Sequence, residues 1–450
     1  MTVETSLKWE DGIIARWESE LKRRFPIGDW WARALSTVLV SSTLYNLKLY
    51  DLMGTVYPNV FITYIAPSGT GCKTPPLKFV KEFFIWYDKE ILAPSRFTIE
   101  GFGERVKGTD GDSNRKPVKP HPYGVILRDE FSDWFNKKNL DQGLPEYLSE
   151  VYDGYLQGYY TRTYQSEGDE KVYYSFLGCS TEYFLQLMVE GFFIQGLGNR
   201  MLWVMEDPSP KEITADKFFD QMKLITSDPE RDKLYNFTKE AFEKLKNVQV
   251  ATMLDGDEVY VEYFNNVTKK TDELHKAGNS FDASYYVKRC ETALKLAMIY
   301  AASRLSIFEG HLVISKEDME MAIHDIEQGY MPMFKKVVEV WKQLRHKPKE
   351  VLAESSKYQL IEVLKLAERS GGIVWRSLVE KELGWSNPNQ IINTLRHGVV
   401  IGDLEVAAEA DQKGTLTDEE YTRAKGNSRG RTPQVFRITA QGREKLGLSE

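Results

Sequence analysis

Residues 58–80 read PNVFITYIAPSGTGCKTPPLKFV, and the fold turns on how that stretch divides. Val60 to Ile65 is a short run of β-branched, aromatic and aliphatic side chains, the pattern of a buried strand. A loop of small residues follows from Ala66 to Cys72, and then Lys73-Thr74. Glycines let backbone N–H groups turn inward, a lysine reaches terminal phosphates and a hydroxyl ligates Mg²⁺, so this arrangement suits a phosphate cradle. The candidate nucleotide-binding residues are Pro67, Ser68, Gly69, Thr70, Gly71, Cys72, Lys73 and Thr74. The usual spacing, G-x-x-x-x-G-K-[ST], would place glycine at positions 67 and 72; here the glycines stand at 69 and 71, and Cys72 precedes the lysine. Pro75 and Pro76 fall in the first helical turn, where there is no intrahelical N–H bond to lose. Read alone, the stretch could also be a glycine-rich turn between a strand and a helix.

A second motif weighs against that plain turn. Gly124-Val125-Ile126-Leu127-Arg128-Asp129-Glu130-Phe131 is an apolar strand ending in two acids. ATP hydrolysis needs such a pair opposite the phosphates: Asp129 to help hold Mg²⁺ and Glu130 to polarise the attacking water. Taken singly, two carboxylates there could be a strand-to-helix cap. Downstream of a phosphate cradle, with a helix and strand between, they point to an ATPase site with Lys73, Asp129 and Glu130 as catalytic groups.

Composition limits the remaining classes. The chain has 450 residues, 42% of them hydrophobic and 12% aromatic, which is the make-up of well-cored globular domains rather than a disordered chain. A formal net charge of -7 excludes a uniformly basic nucleic-acid coat, so any DNA contact must come from local patches or an assembled channel. Three cysteines (Cys72, Cys179 and Cys290) in no metal-ligand spacing fit a reducing cytoplasm. The opening residues lack a signal-peptide core and no apolar run reaches membrane-spanning length, so a cytoplasmic protein without membrane contact is expected.

In chain order, residues 1–55 read as a helical lead-in. Trp9 to Phe25 puts Ile13, Ile14, Trp17 and Leu21 on one face before Pro26, and Trp30 to Leu49 forms a second helix. Residues 103–122 are polar, basic and proline-rich, a surface loop whose Arg105, Lys107, Arg115, Lys116 and Lys119 could touch a nucleic-acid backbone, with a merely solvated loop as the favoured alternative. Tyr159 to Ser166 and Lys171 to Leu177 resemble paired strands, and the second runs on to Ser180-Thr181. A hydroxyl there, Thr181 included, could sense a γ-phosphate or simply cap a helix. Arg200 stands between a glycine-rich loop and the apolar strand Met201–Val204; its planar fork suits phosphate, in cis or across a subunit boundary, with a surface ion pair as the alternative.

Residues 210–345 carry helical periodicity at Phe218–Leu224, Leu234–Val248, Tyr260–Ala277 and Ala293–Leu305, with a capped start at Ser315 continuing through Met319–Trp341. Lys342–Ser356 reads as a linker. Beyond it come three helices (Tyr358–Ala367, Trp375–Leu383 and Asn387–Arg396) and a hairpin of Leu404–Val406 with Gln434–Thr439, the order of a winged helix. Its candidate DNA contacts are Gln390 and Arg396 in the third helix and Arg423, Lys425, Arg429 and Arg431 in the long hairpin tip, where Asp418, Glu419 and Glu420 mix the charge.

With these motifs in place, residues 30–335 resemble the AAA+ ATPases of the minichromosome-maintenance helicase type, and the related P-loop ATPases carried beside primases in prophage and plasmid replication cassettes. The likeness rests on Cys72–Val80, where those helicases also place a small residue before the lysine, and on Gly124–Phe131. Tyr152-Asp153-Gly154 and Gly198-Asn199-Arg200 look more like the mobile-element relatives. The chain departs from the pattern in its shifted glycines, in Arg128 within the acidic strand, and in Ser180-Thr181 where the helicases carry asparagine. The resemblance implies ATP and Mg²⁺ as cofactors, Thr74 and Asp129 on the metal, Arg200 as an arginine finger and Arg289 as a second sensor at the nucleotide. It also implies DNA and further copies of the chain, a hexameric ring, as partners.

The expected fold is therefore α/β: a P-loop AAA+ core over 56–209, a helical lead-in over 1–55, a helical lid over 210–345 and a winged-helix domain over 357–450. The expected function is an ATP-hydrolysing, DNA-associated motor of mobile-element replication. Two alternatives stay open: a nucleotide-switched initiator or partition factor without unwinding, and a winged-helix regulator whose P-loop has decayed.

Overall fold

The computed structural model describes residues 6–51, 54–67, 72–94, 99–108, 118–132, 143–156, 170–188, 192–193, 196–206, 228–346, 352–383, 391, 394–395, 399, 403–408, 414–425 and 434–446. The chain forms two units, Met1–Leu344 and Arg345–Glu450, each with its own hydrophobic interior.

In the first unit, α1 (Ile13–Arg24) buries Ile13, Ile14, Trp17 and Leu21. α2 (Asp29–Ser41) stops short of the expected Leu49, because Ser42 and Thr43 donate their hydroxyls to the carbonyls of Leu39 and Val40 and turn the chain. After it come β1 (Phe61–Ile65), α3 (Thr74–Asp88), α4 (Ile99–Lys107), β2 (Tyr123–Arg128), α5 (Leu144–Asp153), β3 (Tyr173–Ser180) and β4 (Met201–Val204). The four strands make one parallel sheet in the order β2-β3-β1-β4. Every residue of β1, β3 and β4 is buried, as near-continuous apolar strands must be when both faces of a parallel sheet are covered.

That order has a consequence for ligands. The connection leaving β1 crosses to the far side of β3 to reach β2, and the connection leaving β3 crosses β1 to reach β4. The chain thus departs in opposite directions from the carboxyl ends of two adjacent strands, which opens a crevice between them. Trp31 of α2 stacks on Tyr64 of β1 with ring centroids 4.2 Å apart, and Trp17 packs on Phe79 and Phe83 of α3, so the lead-in helices form part of the core.

The segment expected to be wholly helical is mixed. α6 (Pro229–Leu245) is followed by β5 (Ala251–Met253), α7 (Asp257–Lys276), α8 (Ser280–Val287), α9 (Arg289–Ser303), β6 (Ile307–Phe308), β7 (His311–Ile314), α10 (Lys316–His324) and α11 (Met331–His346). β6, β7 and β5 form a small sheet, too short in each strand to show a two-residue period in the sequence. Lys48 brackets β5 on its other side through Gln249 and Ala251 backbone bonds. Ser315 and Asp318 form the expected capping box. Between α10 and α11 a π-helical turn, Asp325–Tyr330, brings Gly329 flat against the Trp30 indole, where a Cβ would sit 2.0 Å from the ring. α11 runs through Lys342 to His346, shortening the expected linker; basic residues there suit the negative end of the helix. The expected helix at 218–224 and strand at 159–166 lie outside the described residues.

The second unit contains α12 (Leu352–Arg369), β8 (Ile373–Trp375), α13 (Arg376–Leu383), β9 (Leu404–Ala408), α14 (Asp418–Lys425), β10 (Val435–Ile438) and α15 (Ala440–Lys445). β9 and β10 pair antiparallel, with Leu404 opposite Ile438 and Val406 opposite Phe436, and β8 joins the other side of β10. β8 ends at Trp375, the residue expected to start a helix, and the expected irregular tip contains α14. Most of the expected third helix at 387–396 lies outside the described residues. No helix among the described residues is long and apolar enough to cross a membrane.

Candidate active site

The crevice between β1 and β3 is where the sequence motifs meet. Ile65 stands beside Ser180 in the sheet, and the Ala66 N–H donates to the Ser180 carbonyl at 3.1 Å. After the loop, Cys72 takes a left-handed backbone (φ +38°) and Lys73 a helical one, and Thr74 opens α3 with the two prolines in its first turn. The Lys73 ammonium donates to the carbonyls of Ala66 at 3.1 Å and Ser180 at 3.2 Å, so it bridges the carboxyl ends of both strands. Burial lowers the Lys73 pKa, and the Glu130 carboxylate acts against that shift.

β2 delivers the acids from the other side of β3. The Phe131 N–H donates to the Cys179 carbonyl at 3.1 Å, which ties the turn after β2 to β3. The Arg128 side chain, nearly all buried, donates from Nε to the Glu130 carbonyl at 2.9 Å, so the unexpected arginine shapes the turn that presents Asp129 and Glu130. Both carboxylates are exposed. Glu130 accepts from the Ser180 hydroxyl at 2.5 Å and from the Ser132 N–H at 3.1 Å. Lys73, Ser180 and Glu130 are thereby held within one cluster.

Two further members join them, one from the expected Ser180-Thr181 pair and one that was not expected. Ser180, rather than Thr181, supplies the hydroxyl; Thr181 precedes a short 3₁₀ turn and makes no cap bond. The signal was the strand's last residue, whose direction depends on a register that sequence does not show. Lys81 is the other. Burial lowers its pKa and the facing Asp129 opposes that shift. Its spacing from Lys73 places both on one face of α3, through Leu77. Of the expected loop residues, Pro67 and Cys72 are described, while Ser68, Gly69, Thr70 and Gly71 lie outside the described residues.

Arg200 and Arg289 belong to the opposite edge of the sheet. Phe61 faces Met201, so Arg200 and Asn199 lie at the amino ends of the strands. Lys73 stands beyond Ala66, five residues further along β1 or about 17 Å away. Arg200 makes a two-pronged contact with Asp153, Nε to Oδ1 at 3.2 Å and Nη2 to Oδ2 at 2.8 Å. Burial works against its charge, and the Asp153 pairing more than offsets that, raising its pKa. Arg289 is fully buried, with its guanidinium 3.8 Å over the Tyr285 ring and bonds to the carbonyls of Tyr285 at 3.1 Å and Asn199 at 2.5 Å. Arg289, expected at the nucleotide, thus packs beneath the amino edge and is not brought together with Lys73 and Glu130.

The basic stretch is corrected in part as well. Arg105 sits in α4 and donates to Tyr174 Oη at 3.2 Å and to the Glu90 and Leu92 carbonyls at 2.5 and 3.3 Å, clamping the chain after α3 to the sheet. Arg115 and Lys116 lie outside the described residues, as do Gln390, Arg396, Arg429 and Arg431; Arg423 and Lys425 have their backbone in α14. Among the described residues no cluster of three or more His, Cys, Asp or Glu side chains could hold a metal ion. No family model matches the chain, and no curated protein matches it.

Proposed function

We propose that the first unit is an ATP-hydrolysing P-loop core of the AAA+ type and the second a winged helix, in a DNA-associated motor of mobile-element replication that works as a homo-oligomeric ring. The observation carrying this reading is the convergence of Lys73 and Glu130, distant in sequence, on the Ser180 end of β3. The residues fit Mg²⁺–ATP: among the described residues Lys73 spends two of its three N–H groups on carbonyls, which leaves one to offer a phosphate. Mg²⁺ characteristically binds through one or two carboxylates together with substrate phosphates, so the lack of a preformed cage among the described residues suits a metal that arrives with the nucleotide.

Bound Mg²⁺–ATP supplies the transferable γ-phosphoryl group and the metal's charge. Lys73 neutralises charge on the terminal phosphates, and Thr74 and Asp129 offer oxygen ligands to the metal. Glu130 orients the attacking water, with its carboxylate aimed by Ser180. Lys81 offsets the charge of Asp129 from the helix side. In the second unit, the run helix, strand, helix, strand, helix, strand, with β10 between β8 and β9 and α14 inserted in the β9–β10 connection, supports the winged-helix reading and through it DNA association.

The test is ATP turnover with and without single-stranded and duplex DNA, beside Lys73→Ala and Glu130→Gln. Both variants are expected to lose about a hundredfold or more in kcat, Glu130→Gln while still binding nucleotide. Absence of turnover in the wild-type protein would remove the ATPase reading. Strand displacement on a forked duplex then separates a motor from a nucleotide switch.

A further inference from the structure

We propose that Asp153 is a positioning residue that aims Arg200 at the nucleotide of a second copy of this chain. The inference rests on the ATPase reading and adds to it the group that makes a trans-acting arginine effective.

Arg200 lies about 17 Å along the sheet from the Lys73 crevice, so it cannot serve its own site. Its side chain is 16% exposed, enough to meet a group arriving from outside. The two-pronged contact uses Nε and Nη2, and among the described residues Nη1 makes a long contact to the Gly196 carbonyl at 3.5 Å. A guanidinium braced along one side in this way presents the other in a fixed direction, and that geometry recognises phosphate.

Asp153 gains nothing from its own helix, although its charge also favours the buried Lys295 ammonium. It is the last residue of α5, where the helix macrodipole disfavours a carboxylate. The helix end is satisfied without it: the Gly154 N–H bonds back to Glu150 and Val151, and Gly154 takes φ +95° with the Tyr57 ring 2.8 Å from where a Cβ would lie. The other acid near Arg200 is Glu291 on α9, already engaged by Lys295 at 3.1 Å and Lys288 at 3.5 Å. Asp153 thus remains the partner that sets the direction of the guanidinium.

The test is complementation in mixed oligomers of the full chain. Lys73→Ala subunits keep Arg200 but cannot hydrolyse; Arg200→Ala subunits keep the Lys73 crevice. Mixing them is expected to restore turnover at shared interfaces. Using Lys73→Ala/Asp153→Ala as the arginine donor should cut the restored kcat about tenfold with KM for ATP unchanged, and Asp153→Glu in the donor should recover most of it. A thermal melt of each donor guards against a folding defect. The proposal is overturned if the Asp153→Ala donor complements as well as Lys73→Ala alone, or if the loss appears equally when Asp153→Ala sits on the Arg200→Ala subunit. Wild-type turnover without complementation would overturn the positioning role and leave the ATPase reading standing. No wild-type turnover would overturn both.

Discussion

The two edges of the parallel sheet use the same kinds of charged side chain in opposite ways. At the carboxyl edge Lys73 is only partly buried, Asp129 and Glu130 are exposed, and one hydroxyl and a few backbone groups hold the set. At the amino edge Lys295 is 1% exposed, lies 3.6 Å over the Tyr152 ring, bonds Asn59 at 3.0 Å and pairs with Glu291 at 3.1 Å; Arg289 is fully buried beside it. Half-solvated charges cost little to leave unpaired and can exchange partners, whereas buried ones are stable only while every partner stays. The first edge is free to change partners. The second holds its charges still.

Removing one lysine from each edge should break that symmetry in stability. Lys295→Met leaves the Asn59 side-chain oxygen without its donor and the Glu291 carboxylate with Lys288 as its remaining close cation, and is expected to cost about 3 kcal/mol in urea unfolding. Lys73→Met should change the same measurement by less than about 1 kcal/mol, because Lys73 is only partly buried and one of its two carbonyl partners, that of Ser180, already accepts the Ala66 N–H. Equal losses would mean that the edges do not differ in kind.

Alkaline pH should act in part through Tyr174, on the amino-end side of the sheet. Tyr174, second residue of β3, is buried, and burial pushes its pKa up to about 12 from an ordinary 10. The folded chain keeps this proton while the unfolded chain gives it up, so the contribution is whole below pH 10 and is lost as the pH rises towards 12. Two units correspond to about 2 kcal/mol after allowance for relaxation. Unfolding curves across that window should steepen for wild type relative to Tyr174→Phe, and parallel curves would argue against the buried hydroxyl as a cause.

Ser180→Ala addresses the carboxyl edge alone. A hydrogen bond to a charged group is worth about 1.5–3 kcal/mol, so freeing Glu130 should lower kcat by roughly tenfold with KM for ATP little changed. A shift confined to KM would place Ser180 in binding rather than in aiming Glu130.

The same contrast explains what could be read from the sequence. The carboxyl edge comes from two contiguous motifs, since a strand with its following loop carries its chemistry in consecutive residues. The amino edge joins Asn59, Asp153, Arg200, Glu291 and Lys295 from separate segments, and only the strand order brings them together. Register decided Ser180 over Thr181, which spacing cannot supply. Arg105 looked solvated because its neighbours are polar, yet its partners are carbonyls, and carbonyls have no sequence signature. β5, β6 and β7 escaped because strands of two to four residues carry no period.

Cys72 gives the smallest effect and the sharpest question about the looser edge. A side chain at φ +38° costs about 1–2 kcal/mol relative to glycine, which takes that conformation freely. Cys72→Gly relieves the strain but adds freedom to the unfolded chain and removes a half-buried thiol that packs against the core. The net expectation is a gain of about 0.5 kcal/mol in unfolding free energy. A gain says that the turn into Lys73 is held by the backbone of the crevice, with the thiol incidental. A loss of about 1 kcal/mol says that the thiol is a packing anchor. The carboxyl edge would then be stiffer than its exposed acids suggest, closer to the amino edge than the burial of its charges implies.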